Sequence, residues 1–361
     1  MAKLHESLNE NLLVLRAQLT ALPAVDLETI LPLQSSSRLS TLPIHPLPRI
    51  QRITAGLPET FTSLLALVRQ TVTSLSLAIK PPLSLTAVLD TLRKLSNDFE
   101  RLATCVHAAP SGSAVEWEWR DRVQTLGEEL IRYLVILRDA QGKDDDVAFL
   151  THTGMVWDAL DRFGEPSKSE MAAVLKRWDG QRGLVKDAWE EFRELLEEDQ
   201  DGEMSESSAI GDDDDDLDWM IRDGSLSEEE LSRTQAAKPL VALHQILHAS
   251  VPRYVSDLTS DPERSHLPLL IAGSNVVTSF DTAVSTFHSP QDEAEIEDTM
   301  SELADKSRAL AKHVRMLLNG AGNVEKAAQC RTFLDKWESR LQIETAKWSE
   351  ARSSLTKLHQ T

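Results

Sequence analysis

Leu8, Leu12, Leu15, Leu19 and Leu22 alternate steps of four and three, which sets one apolar stripe on an N-terminal helix that Pro23 ends. Pro32, Pro43, Pro46 and Pro48 among serines then make residues 24–50 a loop that cannot continue a helix. Pro58 suits the first turn of a second helix, which "KPP" stops after Ile79. Arg69 is the only charge between Phe61 and Ile79, so this helix is expected to be buried nearly all round. Ser84 can cap a third helix carrying Leu85, Val88, Leu89, Leu92, Leu95, Phe99 and Leu102, with "PSGS" as its breaker. A fourth covers roughly residues 114–138, and a fifth follows "GKDDD" with Met155, Val156, Trp157, Leu160 and Phe163. Gly164 and Pro166 end it. Ser167 and Glu170 have the spacing of a capping box, which predicts the start of a sixth helix with Met171, Val174, Trp178, Val185, Trp189, Phe192 and Leu196 inward. Gly180 and Gly183 are its expected soft spots.

The same pattern returns further on. A helix is predicted over residues 238–258, bent near Pro252, then a low-charge helix over 267–287. An amphipathic helix follows, with Ile296, Met300, Leu303, Leu310, Val314 and Leu317 inward and Gly320 placed to cap it. The last helix keeps a heptad of Leu334, Trp337, Leu341, Trp348, Leu355 and Leu358, which suits either a coiled coil or a bundle edge. No alternating run of useful length points to a strand. The fold class expected is all-α: two antiparallel helical bundles, residues 1–198 and 231–361, joined by an acidic disordered linker over 199–230.

Charge sharpens that division. The net charge is -20, yet residues 187–230 alone hold twenty acidic side chains against Arg193 and Arg222, leaving about -2 elsewhere. An acidic segment of this kind repels phosphates, so proteins rather than nucleic acid are the expected partners. Within it, Asp212, Asp213, Asp214, Asp215 and Asp216 lack the glycine turn and closing glutamate of a calcium loop. They read as a tether. A sharper reading makes Leu217, Trp219 and Met220 the apolar anchors of a docking motif steered by those aspartates. Ser225 and Ser227 each have a glutamate three residues on, the spacing an acidophilic kinase reads, and Ser227 can alternatively cap the next helix.

Chemistry is sparse. Phosphate-binding glycine loops and a serine elbow are missing, so no catalytic, metal or cofactor-binding residue is assigned. His244 and His248 have zinc-ligand spacing but no third ligand, and read as surface or boundary histidines. Cys105 and Cys330, far apart, read as core or boundary thiols of a reducing compartment. Most tryptophans fall on apolar stripes, whereas Trp117 and Trp119 sit two apart, so one of them is expected to face outward. No apolar run of about eighteen residues and no leader are seen, which places the protein in the cytoplasm and nucleus, away from membranes.

"THTGMVWDALDRF", "RGLVKDAWEEFRELLEE", the acidic interval and "KPLVALHQIL" together resemble the GCIP family of cyclin-D-interacting proteins. The telling residues are Gly154, Val156 and Trp157, and the stretch Gly183, Leu184, Val185, Lys186 and Asp187. The resemblance implies helical bundles related to those of talin and vinculin, no enzymatic activity, and D-type cyclins or helix-loop-helix regulators as partners. It implies a regulator of cell-cycle progression or transcription. Two other readings stand beside it: a cytoskeletal adaptor acting through its final helices, and an acidic-tract chaperone for basic proteins. Oligomeric state does not follow from any of these patterns.

Overall fold

The computed structural model describes residues 2–22, 54–80, 82–139, 148–197, 226–256, 265–319 and 322–358. Among them the chain forms ten helices and no strand, as the hydrophobic periodicity requires. They divide into two compact units, Met1–Val174 with Pro262–Leu267, and Leu175–Asp261 with Pro268–Thr361. The division falls inside the sixth helix, earlier than the boundary at 198 that the acidic run suggests.

The first unit holds α1 (Ala2–Ala21), α2 (Leu57–Ile79), α3 (Leu85–Ala108), α4 (Ala114–Asp139) and α5 (Ala148–Asp161). Helix α1 packs on α3 and α4, α3 on α2, α2 on α5 and α5 on α4, so the pairings close on themselves. Leu8, Leu12 and Leu15 of the N-terminal stripe are buried. Phe61 and Trp119 stack inside, ring centroids 4.4 Å apart, and Trp119 is fully enclosed while its neighbour Trp117 is half-exposed. A Cβ on Gly127 would lie 2.5 Å from Leu19 Cδ2 and 2.8 Å from Phe99 Cζ, so only glycine lets α4 pass that close to α1 and α3. Ser76, Tyr133 and Thr153, from three helices, satisfy one another: the Ser76 hydroxyl lies 2.8 Å from the Tyr133 hydroxyl and 2.7 Å from that of Thr153.

The capping box expected from Ser167 and Glu170 does not form. Ser169 caps α6 (Glu170–Glu197), its hydroxyl accepting from the Ala172 amide at 3.2 Å. Glu170 instead turns inward, where it is buried and accepts the Ala114 amide at 2.8 Å, the Val115 amide at 3.4 Å and the His266 amide at 3.0 Å. Its carboxylate therefore serves the N-terminus of α4, where free N–H groups and the helix dipole favour an anion. Burial raises its pKa against the lowering effect of those amides.

The second unit takes α6 from Leu175 onward, α7 (Glu228–Val255), α8 (Leu267–Ser285) from Pro268, α9 (Glu293–Leu318) and α10 (Val324–Leu358). Helix α7 begins ten residues before the expected 238, because Ser227 and Glu230 close a full capping box and Pro239 is carried within the helix. Pro252 also lies inside it. Proline has no N–H for the carbonyl four residues back, and the His248 carbonyl so released accepts the Trp178 indole N–H at 3.1 Å. The Trp337 indole donates to the Leu243 carbonyl at 2.8 Å, so tryptophans from α6 and α10 both anchor on α7. The edge of the Trp178 ring meets α8 at Gly273, where a Cβ would fall 2.6 Å from its Cη2. Of the last heptad, Leu334, Trp337, Leu341 and Trp348 are buried; the side chains of Leu355 and Leu358, like Gly320, lie outside the described residues.

Candidate interaction surface

Helix α2 departs from its expected burial. Phe61, Leu64, Leu65, Val68, Val72 and Leu75 face the core, but Thr62, Ser63, Ala66, Gln70, Ser74 and Leu77 are exposed, Leu77 to 62%. Among the described residues two helices, α2 and α8, are long and apolar enough to cross a bilayer by length and composition alone. Of their most apolar windows, 67% of α8 is buried within the structure but only 39% of α2. Helix α8 is thus a core helix, whereas α2, beyond Glu59 in its first turn, shows an outward face from Thr62 to Leu77 that carries no charge. A surface helix ordinarily puts its charges there. The one charge in the middle of α2, Arg69, turns sideways onto α5, where it pairs in a two-pronged contact of 2.8 and 2.6 Å with Asp161. That hydrogen bond raises the Arg69 pKa and lowers that of Asp161.

The polar atoms on this face are turned inward as well. Thr62, Ser63, Thr73 and Ser74 donate their hydroxyls to the carbonyls four residues back, at 2.8 to 2.9 Å. Their donors are already satisfied, which lowers the cost of taking the face out of water. The sequence carried a signal for this: serine, threonine, glutamine and alanine recur at helical spacing between the leucines and valines. Counting charges alone missed it.

Helix α5 runs antiparallel beside this face, Arg69 meeting Asp161 and Ser76 meeting Thr153. Of the expected trio, Val156 is fully buried, Trp157 is half-exposed with the Arg69 guanidinium 6.0 Å from its ring, and Gly154 is half-exposed. Leu150 and Met155 on the same helix are exposed to 42% and 38%. Unlike Gly127, Gly154 has nothing within 4 Å of where a Cβ would stand, so internal packing does not call for glycine. Gly154→Ala is therefore expected to stabilise the first unit by about 0.5–1 kcal/mol, read as a raised urea midpoint. A lowered midpoint would mean that the glycine has an internal role after all.

The model of the family described as "Grap2 and cyclin-D-interacting, N-terminal" matches residues 60–198. Residues 60–198 are thus similar to the N-terminal region of that family. A curated relative, the cyclin-D1-binding protein 1 homolog of Danio rerio, is 30% identical over 193 residues, which cover 51% of this chain and 54% of the relative. The chain thus spans about half the length of that relative. The matched region, residues 60–198, contains all of the exposed α2 face, the Gly154–Trp157 stretch and helix α6 to its end.

On α6, the stretch Gly183–Asp187 splits by helical phase. Val185 is buried with Ala188 and Phe192, while Gly183, Leu184, Lys186 and Asp187 are exposed, Leu184 to 60%. Lys186 pairs with Glu190 at 3.3 Å. Gly180 and Gly183 again have open space at the Cβ position, and the helix passes through both.

The histidines are not surface groups. His244 and His248 are fully buried in the second unit; His244 Nδ1 lies 2.9 Å from the Ser307 hydroxyl, and the His248 ring stacks on Trp178 at 4.7 Å. Burial depresses their pKa values to about 3 and about 4. Among the described residues no group of three or more His, Cys, Asp or Glu could hold a metal ion. Cys105 and Cys330 are buried free thiols, and burial pushes Cys330 up to about 11. A surface depression of about 340 Å³ is lined by Asp335, Lys336, Ser339, Arg340 and Ile343, all from α10. Asp212, Asp213, Asp214, Asp215, Asp216, Leu217, Trp219, Met220 and Ser225 lie outside the described residues, as does the loop 24–50. Ser227 is described, as the cap of α7.

Proposed function

We propose that this protein acts by binding another protein, without catalysis, through the exposed uncharged face of α2 and the adjoining Leu150–Trp157 stretch of α5. The observation that carries this reading is a helix of interior composition with its outward residues exposed and its hydroxyls satisfied from within. Depletion of charge is what distinguishes the centre of a protein interface from ordinary surface. Thr62, Ser63, Gln70 and Ser74 make the face too polar for a lipid-facing strip, which favours a protein partner over a bilayer. The printed name of the Danio rerio relative supports a D-type cyclin as that partner. A role in cell-cycle progression or transcription, in the cytoplasm and nucleus, is proposed as what such a partner would entail.

Calorimetric titration of the full chain with a purified D-type cyclin tests both parts. The wild type is expected to bind. The double variant Ser74→Lys, Leu77→Lys is expected to weaken binding by a factor of ten or more, since each charge must be desolvated at the interface. Its unfolding midpoint should stay close to wild type, because both positions are exposed and lysine suits the C-terminal turns of a helix. Equal binding by wild type and variant would exclude the surface; no binding by the wild type would exclude the partner.

A further inference from the structure

The entrance to α7 concentrates more function on one carboxylate than a helix cap requires. Ser227 is exposed, and its hydroxyl accepts from the Glu230 amide at 3.3 Å while the Ser227 amide donates to Glu230 Oε2 at 2.8 Å. The same Glu230 carboxylate reaches the connection between α8 and α9: Oε1 accepts the Gln291 amide at 2.8 Å, and the Ser289 hydroxyl lies 3.4 Å from both oxygens. These donors hold its pKa below the ordinary glutamate value despite burial. One residue therefore caps α7 and fixes a second connection. The residue it caps with, Ser227, is followed directly by Glu228, Glu229 and Glu230, the acidic environment that acidophilic serine kinases select.

We propose that Ser227 is a phosphorylation site, and that its phosphate releases the Glu230 carboxylate from Ser289 and Gln291. In the transfer, Ser227 Oγ forms a bond to the γ-phosphorus of ATP as the bond to the bridging oxygen of ADP breaks; the hydroxyl proton passes to a carboxylate of the kinase. The new group carries close to two negative charges and three strong acceptors, attached where Glu230 Oε2 already stands. A phosphate at a helix start ordinarily gains from the free N–H groups and the dipole. Here it can take the Ser227 and Glu230 amides itself. The Glu230 carboxylate is pushed from beside it: Arg233 pairs with Glu229 at 2.9 Å and donates to the Gln291 side chain at 2.9 Å, so its guanidinium is already engaged away from Glu230. Repulsion moves Glu230 outward, and the Gln291 amide loses its acceptor.

The test treats the full chain with an acidophilic serine kinase and ATP, maps the phosphate by mass spectrometry, and follows amide exchange at Gln291. The phosphate is expected on Ser227 and absent from Ser227→Ala, and Gln291 exchange is expected to rise about tenfold on phosphorylation, the loss of one charge-assisted hydrogen bond. Glu230→Gln keeps the acceptor but removes the charge and also the glutamate three residues on that the kinase reads, so it is compared with wild type at equal phosphate content on Ser227, where its exchange should respond less. Phosphate confined to Ser225, unchanged exchange at Gln291, or an equal response in Glu230→Gln would each overturn the proposal.

Discussion

Replacing Glu170 by alanine is expected to cost the first unit about 3–5 kcal/mol, several times what an exposed capping glutamate is worth. The reason lies in where its oxygens go. Two backbone amides at the start of α4 and the His266 amide donate to a carboxylate that is itself buried, and alanine leaves all three donors without it in a site that water does not easily enter. The other amides of that turn are provided for separately: Ser113 accepts from Glu116 at 2.9 Å, and the Glu116 carboxylate accepts from Gly112. Glu170→Gln should fall between, because its carbonyl can serve one side while its amide group faces a donor on the other. Denaturant midpoints of the three proteins, with amide exchange at Ala114 and Val115, give the ordering. A loss under about 1 kcal/mol for alanine would instead fit an ordinary cap.

That result bears on how far the sequence could be read. The ten helices follow from spacing alone, since apolar residues at steps of three and four must share a face and proline or glycine must end the run. Capping partners are harder, because Ser167 and Glu170 satisfy the local pattern and yet Glu170 has a better use fifty residues away in sequence. Local spacing cannot register an offer made by the end of another helix. The histidines misled for a related reason: His248 sits beside a carbonyl freed by Pro252, and only the fold shows that Trp178 takes that carbonyl and covers the ring. The surface of α2 was hidden by charge counting, which cannot tell a helix covered on all sides from one whose open side is merely uncharged. Of the candidate residues, Gly154, Val156 and Trp157 are brought to the seam beside that face, whereas Gly183 to Asp187 lie on α6 and divide between core and surface.

Acidification is expected to weaken the second unit selectively. His244 and His248 have folded pKa values of about 3 and about 4, against about 6.5 in the unfolded chain. Below pH 6.5 the unfolded state takes up protons that the folded state refuses, so stability is full above that value and is lost as pH falls toward 4 and then 3. At pH 5 each histidine costs about 2 kcal/mol, about 4 together. Among the described residues the charges acting on these rings are cationic and add to the effect, Arg308 on His244 and Arg182 on His248, while Ser307, Trp337 and Trp178 contact them without charge. His248→Phe should remove about half of what this pair contributes, since no hydrogen bond is made by either ring nitrogen and phenylalanine keeps the stack on Trp178; His313, whose pKa burial also lowers, keeps its own share. Urea unfolding followed by tryptophan fluorescence at pH 7.5, 6 and 5 gives the slope for each protein. A wild-type midpoint that does not move over this range would show that the buried rings find protons or water.

The central claim is that the uncharged outward side of α2 exists to be covered by another protein. Hydrogen–deuterium exchange of the full chain, alone and saturated with a D-type cyclin, reads this directly. Slowed exchange is predicted over residues 62–77 and over 150–157, with α9 and α10 unchanged. Protection confined to α6 to α10, with α2 exchanging as fast as in the free protein, would contradict it.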